Sequence, residues 1–217
     1  MCVRTPVLIV CLVLMGGGGA VAEHPTFIWA EAEWFGGVKG SNNSWVNYKS
    51  LDEARGWGLN GPGVSAEWGQ GGESEWNSIA AHKDEANSAV TFDAELLTPG
   101  NYRVWVRYAD WQFRTEPFRI RVTQSDAKVL EHEYGTNPVV DEHDEFKMYW
   151  SWVFAWDKSP PAAVKAGPTR ITLLVDKPGA ARRHVDAVLL TNDLDFVPTG
   201  REKPPFAYFS VLDAWNK

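Results

Sequence analysis

Alternation of apolar and polar residues is the main pattern of this chain, and it predicts β-strands. In YRVWVRY, Tyr102 to Tyr108, the tyrosines and valines alternate with two arginines and a tryptophan. In FRIRV, Phe118 to Val122, three apolar residues alternate with two arginines. Side chains two positions apart lie on the same face of a strand, so each segment is expected to bury one face.

Further segments of strand character recur along the chain, separated by turn sequences such as TPGN at 98–101 and PG at 178–179. No stretch has the period of a long amphipathic helix. Many short strands at regular spacing predict an all-β fold, a single β-sandwich of the jelly-roll type with long loops at one end. The other predicted strands are Thr26 to Trp34, Ser74 to Ala80, Ala89 to Leu96, Lys128 to Tyr134, Lys147 to Trp156, Thr169 to Val175 and His184 to Leu190.

The N-terminus has the pattern of a signal peptide. Arg4 precedes an apolar run, Val7 to Met15, that is too short to span a bilayer, and Ala20-Val21-Ala22 has the small-x-small form of a cleavage site. We expect cleavage after Ala22 and a secreted or periplasmic protein. The predicted organisation is a signal peptide at 1–22, a β-sandwich domain at 23–198 and a C-terminal tail at 199–217.

Composition narrows the function classes. Both cysteines, Cys2 and Cys11, lie in the predicted signal peptide, so disulfides, thiol catalysis and cysteine-ligated metals are not expected in the exported part. The net charge of −7 disfavours nucleic-acid binding, and no later segment has the pattern of a membrane span. The 12 tryptophans are unusual; indole rings fill cores and also stack on the apolar faces of ligands.

Two glutamates in WAEAEWFGG, Glu31 and Glu33, occupy alternate positions of the first predicted strand. On one strand face their carboxylates would lie about 7 Å apart. Like charges at that distance are costly unless a positive group or water separates them. A metal cation, an arginine or solvent could each fill this place.

Three segments together resemble the β-sandwich carbohydrate-binding modules of families 6 and 35, and the sandwich domains attached to secreted bacterial proteins that act on polysaccharides. They are the E-x-E of the first strand, GNYRVWVRYAD at 100–110 and RRHVDAVLLTND at 182–193. The resemblance implies a non-catalytic module that binds a polysaccharide or oligosaccharide, with an enzyme as a partner. It also implies a structural calcium ion held by Glu31, Glu33 and Asp186, as oxygen ligands suit calcium. The alternative is neutralisation of these acids by Arg182, Arg183 or solvent.

Two surfaces are candidates for the ligand. The first is the Gly- and Trp-rich loop region 36–72, where an aromatic ring could stack on a sugar and an amide could bond its hydroxyls. The second is a strand face that would suit an acidic polysaccharide if its arginines assemble, the alternative being a solvated face neutralised by neighbouring acids. The loop candidates are Trp45, Tyr48, Trp57, Asn60 and Trp68; the strand-face candidates are Arg103, Trp105 and Arg107, with Arg119 and Arg121 joining them if their strands pair.

Two other functions compete with glycan binding. A jelly-roll polysaccharide lyase would need a base and a group that neutralises the substrate carboxylate. The histidines, among them His82, His132, His143 and His184, have no diagnostic spacing, and no nucleophile or metalloprotease motif is present. The sequence therefore does not indicate catalysis. A structural or protein-interaction sandwich is the third class, because a fold alone does not determine function.

Overall fold

The computed structural model describes residues 25–38, 56–59, 78–81, 87–111, 117–136, 147–148, 152–176 and 184–198. The predicted signal peptide, 1–22, and the predicted tail, 199–217, lie outside these ranges, so both boundaries stay predictions. Within the described residues, no helix is long and apolar enough to cross a membrane.

Nearly all of the described chain is β-strand, as predicted. One short 3-10 helix, Ala32–Trp34, follows the first strand. In chain order the strands are β1 Phe27–Glu31, β2 Trp57–Leu59, β3 Ile79–Ala81, β4 Ser88–Leu96, β5 Gly100–Trp111, β6 Phe118–Gln124, β7 Ala127–Tyr134, β8 Lys147–Met148, β9 Trp152–Lys158, β10 Ala162–Val164, β11 Gly167–Val175 and β12 His184–Thr191.

The strands form two open antiparallel sheets, which confirms the predicted β-sandwich. The large sheet has the order β2-β3-β12-β5-β9-β8, with β1 also pairing with β12 and β10 with β5. The small sheet has the order β4-β11-β6-β7. Strands β5 and β6 are consecutive in sequence but belong to different sheets, so the chain crosses the sandwich between them.

The first strand is shorter than the sequence predicts. Thr26 to Trp34 was expected as one strand, but β1 ends at Glu31 and the chain then turns through the 3-10 helix. Gly36 pairs with Thr91 of the small sheet, and Gly37 has a φ of +100°, a conformation that favours glycine. The chain therefore leaves the large sheet before Glu33, which a local alternation pattern could not reveal.

The large sheet carries buried side chains on both of its faces. Its inner face packs on the small sheet through residues such as Val104, Val106 and Leu190. Every residue of β1 and β12 is buried, so these strands are covered on both faces. A second apolar cluster forms on the outer face: Phe27, Trp29, Trp105, Ala187 and Leu189, with Trp34, Trp156 and Phe196 packed against it.

Aromatic rings join the two sheets. Phe118 of the small sheet lies 5.3 Å edge-on from Tyr108 of the large sheet and 5.7 Å from Tyr134, centroid to centroid. The Tyr134 hydroxyl donates to the backbone oxygen of Val104 at 3.1 Å, directly between the sheets. Burial raises the pKa of the Tyr134 hydroxyl well above its ordinary value.

Candidate functional site

The outer face of the large sheet carries three rows of side chains, set by the strand register. Antiparallel partners lie side by side on neighbouring strands about 4.8 Å apart. From β1 through β12 and β5 to β9, the rows are Phe27, Thr191 and Arg103; then Trp29, Leu189, Trp105 and Lys158; then Glu31, Ala187, Arg107 and Trp156. Tryptophans, arginines and a lysine are thereby brought together on one face.

Trp105 lies between two cations. The Arg103 guanidinium carbon is 6.0 Å from the indole centroid, and the Lys158 ammonium is 5.2 Å from it. Lys158 is exposed and Arg103 is half-buried, whereas Trp105 is only 5% exposed. Two long cationic side chains therefore lie near the indole ring, an arrangement favoured by the negative charge of the ring face.

Two hydrogen-bond donors in this group have no acceptor. Trp105 Nε1 and Arg103 Nε are both buried, and neither has a partner. Another guanidinium nitrogen of Arg103, Nη1, donates to the backbone oxygen of Leu194 at 3.1 Å, which holds the side chain in place. Buried donors in native proteins are nearly always satisfied, because leaving one without an acceptor costs about 1–3 kcal/mol. These two N–H groups, which have no acceptor in the described part of the chain, are suited to an oxygen acceptor on a ligand.

Arg107, another predicted ligand residue, is not at the surface. Its side chain is fully buried and its Nε pairs with Asp186 Oδ2. Its guanidinium carbon lies 5.4 Å from the Trp29 ring centroid and 5.2 Å from that of Trp156, two rings that are themselves 5.5 Å apart. A buried, ion-paired guanidinium packed on two indoles supports the sheet, so we assign Arg107 to structure and not to ligand contact.

A β-bulge in β12 places Asp186 beside Arg107. Val185 pairs with Tyr108 and Ala187 pairs with Arg107, so Asp186 is the extra residue on β12. Val185 belongs to the inner core and Ala187 to the outer cluster. Bulges redirect a side chain locally, and here the inserted residue carries the carboxylate that neutralises Arg107.

The three predicted calcium ligands do not form a set in the structure. Glu31 accepts a hydrogen bond from Trp29 Nε1 at 2.8 Å, Asp186 pairs with Arg107, and Glu33 lies in the 3-10 helix. In the described part of the chain, no three Asp, Glu, His or Cys residues are grouped so that they could hold a metal ion. These residues therefore do not fit the calcium site that the resemblance implies. Asp186 pairs with Arg107, which the sequence analysis did not consider as its partner. Arg182 and Arg183, which the sequence analysis gave as the alternative to calcium, lie outside the described residues.

Most of the loop candidates cannot be placed. Trp45, Tyr48, Asn60 and Trp68 lie outside the described residues, and their predicted role in ligand binding stays a prediction. Trp57 is described, and it lies in the core between the sheets at 1% exposure. Its Nε1 donates to the backbone oxygen of Ser88 at 3.2 Å. This ring has no free face for a sugar, so its role is packing.

Arg119 and Arg121 do not join Arg103 and Trp105. They lie on β6 in the small sheet, with Phe118, Ile120 and Val122 of the same strand in the core, so they face outward on the other side of the sandwich. Glu131 of β7 pairs with both arginines and with Lys128, and Arg119 also pairs with Asp176. This face is the solvated, internally neutralised one that the sequence analysis gave as its alternative.

This ion-pair network predicts that the stability of the fold decreases as the pH falls into the acidic range. Burial raises the pKa of Glu131, but its hydrogen bond to Arg121 and the charges of Arg121 and Lys128 outweigh burial and hold the pKa below its ordinary value. A carboxylate with a lowered folded pKa stabilises the fold above its unfolded pKa, and that contribution is lost as the pH falls from about 4.5 through the folded pKa. We expect Glu131→Gln to lower the free energy of unfolding at pH 7 and to narrow the difference from the parent protein below pH 4, measured by urea unfolding. An equal difference at both pH values would contradict this.

Two of the histidines are core or packing residues. His184 is buried, with Nδ1 3.3 Å from the hydroxyl oxygen of Ser78, and the His132 ring packs edge-on to Tyr134 at 4.8 Å. His82 and His143 lie outside the described residues. The lyase alternative therefore stays without a described candidate base in a cleft.

Sequence reasoning missed Lys158 and left Trp29 and Trp156 without a role in the site. Trp156 was predicted as the last residue of a strand from Lys147, a segment that the structure divides into the paired strands β8 and β9. Nothing in the local pattern around Lys158 shows that it lies beside Trp105, because the contact is made by the register of β9 on β5. Trp29 precedes Glu31 by two residues, and this shared strand face was the available signal for their hydrogen bond.

The architecture is that of a two-sheet β-sandwich module, and its neighbours among solved structures are carbohydrate-binding modules. A family 61 carbohydrate-binding module in complex with β-1,4-galactotriose matches at 17% identity over 57% of this chain and 73% of that chain, with a TM-score of 0.37. A Podospora anserina GH26-CBM35 β-(1,4)-mannanase matches at 17% identity over 83% of this chain and 29% of that chain, with a TM-score of 0.43. A family 35 module from Clostridium thermocellum matches at 16% identity over 58% of this chain and 82% of that chain, with a TM-score of 0.34.

The likeness to these proteins is one of fold. This chain spans less than a third of the mannanase, and the ligands and activities named for these structures belong to those proteins. No family profile matches the sequence, and no curated protein matches it.

Proposed function

We propose that this protein is a secreted, non-catalytic module that binds an acidic glycan on the outer face of the large sheet, at Trp105, Arg103 and Lys158. The observation that carries this proposal is the pair of buried donors, Trp105 Nε1 and Arg103 Nε, that lack an acceptor beside an exposed ammonium group. Export rests on the predicted signal peptide at 1–22. A polysaccharide-active enzyme as partner rests on the sequence resemblance alone.

The chemistry of the three groups favours an anionic oxygen ligand. A carboxylate or sulfate oxygen accepts hydrogen bonds from N–H donors, and such bonds are stronger when donor and acceptor carry opposite charges. Arg103 and Lys158 supply two positive charges within a chain whose net charge is −7, so the attraction for an anionic ligand is local to this face. Hydroxyl oxygens of a neutral sugar could satisfy the same donors but would gain nothing from the charges.

Ligand access to the buried indole N–H requires neighbouring side chains, among them Lys158, to move. Lys158 is exposed, and a lysine side chain has several rotatable bonds, so its displacement from the ring is inexpensive. An anionic group would then replace the ring as the partner of the ammonium group. Arg103 keeps the hydrogen bond from its Nη1 to the backbone oxygen of Leu194, and its Nε donates a hydrogen bond to the ligand.

The test is affinity electrophoresis of the purified full-length protein through gels that contain a uronic-acid polysaccharide, a sulfated polysaccharide or a neutral one. We expect retardation in an acidic gel, and we expect Lys158→Gln to weaken it about tenfold, since a hydrogen bond to a charged group contributes about 1.5–3 kcal/mol. Lys128→Gln is the matched control because it removes the same charge from an exposed lysine on the small sheet.

Each other outcome overturns a stated part of the proposal. Equal weakening by Lys158→Gln and Lys128→Gln would show that overall charge, and not this face, causes the retardation. Retardation only by the neutral polysaccharide would assign binding to another surface, with the loop candidates first. Absence of retardation in every gel would favour a protein-interaction module, and degradation of the gel polysaccharide would favour the lyase.

A further inference from the structure

Arg107 and Asp186 form a buried ion pair that joins two central strands of the large sheet. The arginine side chain is 0% exposed and the aspartate side chain 3%. Charged groups are almost never buried to this degree unless they are paired, so the two residues depend on each other. The pair links β5 to β12, which lie next to each other in the sheet.

The same guanidinium also contacts the first strand and β9. It lies against the ring of Trp29 from β1 and that of Trp156 from β9, and Trp29 Nε1 bonds Glu31. Arg107 and Glu31 occupy one row of the sheet, with only the small side chain of Ala187 between them. The Arg107 guanidinium therefore lies among four strands, on the face that also carries the negatively charged Glu31 and Asp186.

A divalent metal ion would conflict with this arrangement. Asp186 already binds a guanidinium, and a metal ion on the same carboxylate would be repelled by that positive charge. Glu33, the third expected ligand, is displaced from the strand face by the 3-10 helix. Two of the acids that the resemblance assigns to calcium, Glu31 and Asp186, are thus engaged with groups of the chain itself.

We propose that Arg107 is the internal cation of this sandwich, taking the place of a structural metal ion between its first and last strands, and that the fold is stable without calcium. The guanidinium supplies the positive charge between the acidic residues of β1 and β12. Its planar donors and its contacts with two indoles fix its position, which an ammonium group or a water molecule could not reproduce.

The first test uses the unaltered protein. We expect its melting temperature in excess EDTA to lie within about 1 °C of that in millimolar calcium, because a ligand that does not bind the native state cannot stabilise it. Elemental analysis of the purified protein should find no stoichiometric calcium. A fall of many degrees in EDTA that calcium reverses, or one calcium ion per chain, would overturn the proposal.

The second test removes the cation. Arg107→Gln is expected to lower the melting temperature on the order of 10 °C, with no recovery on adding calcium, because the buried carboxylate of Asp186 loses its ion pair with Arg107. Adding Asp186→Asn to that variant should restore part of the loss. The matched control is Arg170→Gln, which breaks an exposed pair with Asp93 on the small sheet and should change the melting temperature by less than about 2 °C.

The stability measurement on Arg107→Gln is independent of the glycan-binding measurement. A loss of stability in Arg107→Gln no larger than in Arg170→Gln would contradict the proposal, whatever the glycan result. If Arg107→Gln does not fold, the EDTA and calcium measurements on the unaltered protein still decide the question.

Discussion

Replacing Trp29 with alanine is expected to lower the free energy of unfolding by about 3–5 kcal/mol. Its side chain is 0% exposed and lies in the outer apolar cluster of the large sheet. The substitution removes the ring that packs against Trp156 and Arg107, and it also removes the donor to Glu31. This one change would leave a cavity, weaken the packing around the Arg107 guanidinium and remove one hydrogen bond from the buried Glu31 carboxylate.

Urea unfolding followed by tryptophan fluorescence and by far-ultraviolet circular dichroism measures this loss. Trp29→Phe separates the causes, because it keeps an aromatic ring but loses the N–H, and it should fall between the parent protein and Trp29→Ala. Leu97→Ala is the control, since Leu97 is 69% exposed and its truncation should change stability by less than about 0.5 kcal/mol. A loss below about 1 kcal/mol in Trp29→Ala would mean that the outer cluster contributes little to the fold.

Phe118→Ala is expected to cost a similar amount, about 3–5 kcal/mol, on the other side of the large sheet. Phe118 is 2% exposed and lies between Tyr108 and Tyr134, so its ring connects the two sheets. Truncation leaves a cavity at the sheet-to-sheet interface that the β-strands, held by their ladders, cannot close.

The same urea measurement tests this prediction, and Phe118→Leu provides the comparison. Leucine keeps most of the volume but not the ring contacts, so it should cost less than alanine. Retardation by an acidic polysaccharide should persist in Phe118→Ala below its melting temperature, because the ring is on the inner face and the proposed ligand site is on the outer face. Equal loss of stability in the leucine and alanine variants would show that the volume at this position is unimportant.

Much of the strand content follows from local pattern. The period-two alternation of β5, β6 and β11 places their apolar residues in the core and their polar residues outside, and these three predicted strands agree with the observed ones to within a few residues. The all-β sandwich could therefore be predicted from sequence. Strands β2 and β10 could not, because each has three residues and shows no period of its own. The predicted single strand Lys147 to Trp156 is wrong, because the structure has two strands there, β8 and β9, that pair with each other antiparallel.

The candidate site was only partly predictable. Arg103 and Trp105 share a strand face by sequence spacing alone, whereas Lys158 joins them only through the register of β9 on β5. The division of the arginines between two opposite outer faces depends on the crossing of the chain after β5. Strand pairing depends on contacts between residues that are far apart in sequence, so a local sequence pattern does not predict it.

The sequence by itself determined that apolar and polar residues alternate along the predicted strands, that such strands bury one face, and that Glu31 lies on the same face as Trp29. Only the tertiary structure decided that β1 ends before Glu33, that a bulge places Asp186 beside Arg107, and that these two residues form a buried ion pair. The reason is physical. Side-chain alternation is a property of one strand, but a bulge, a register and a buried charge pair exist only between strands that the fold has brought together.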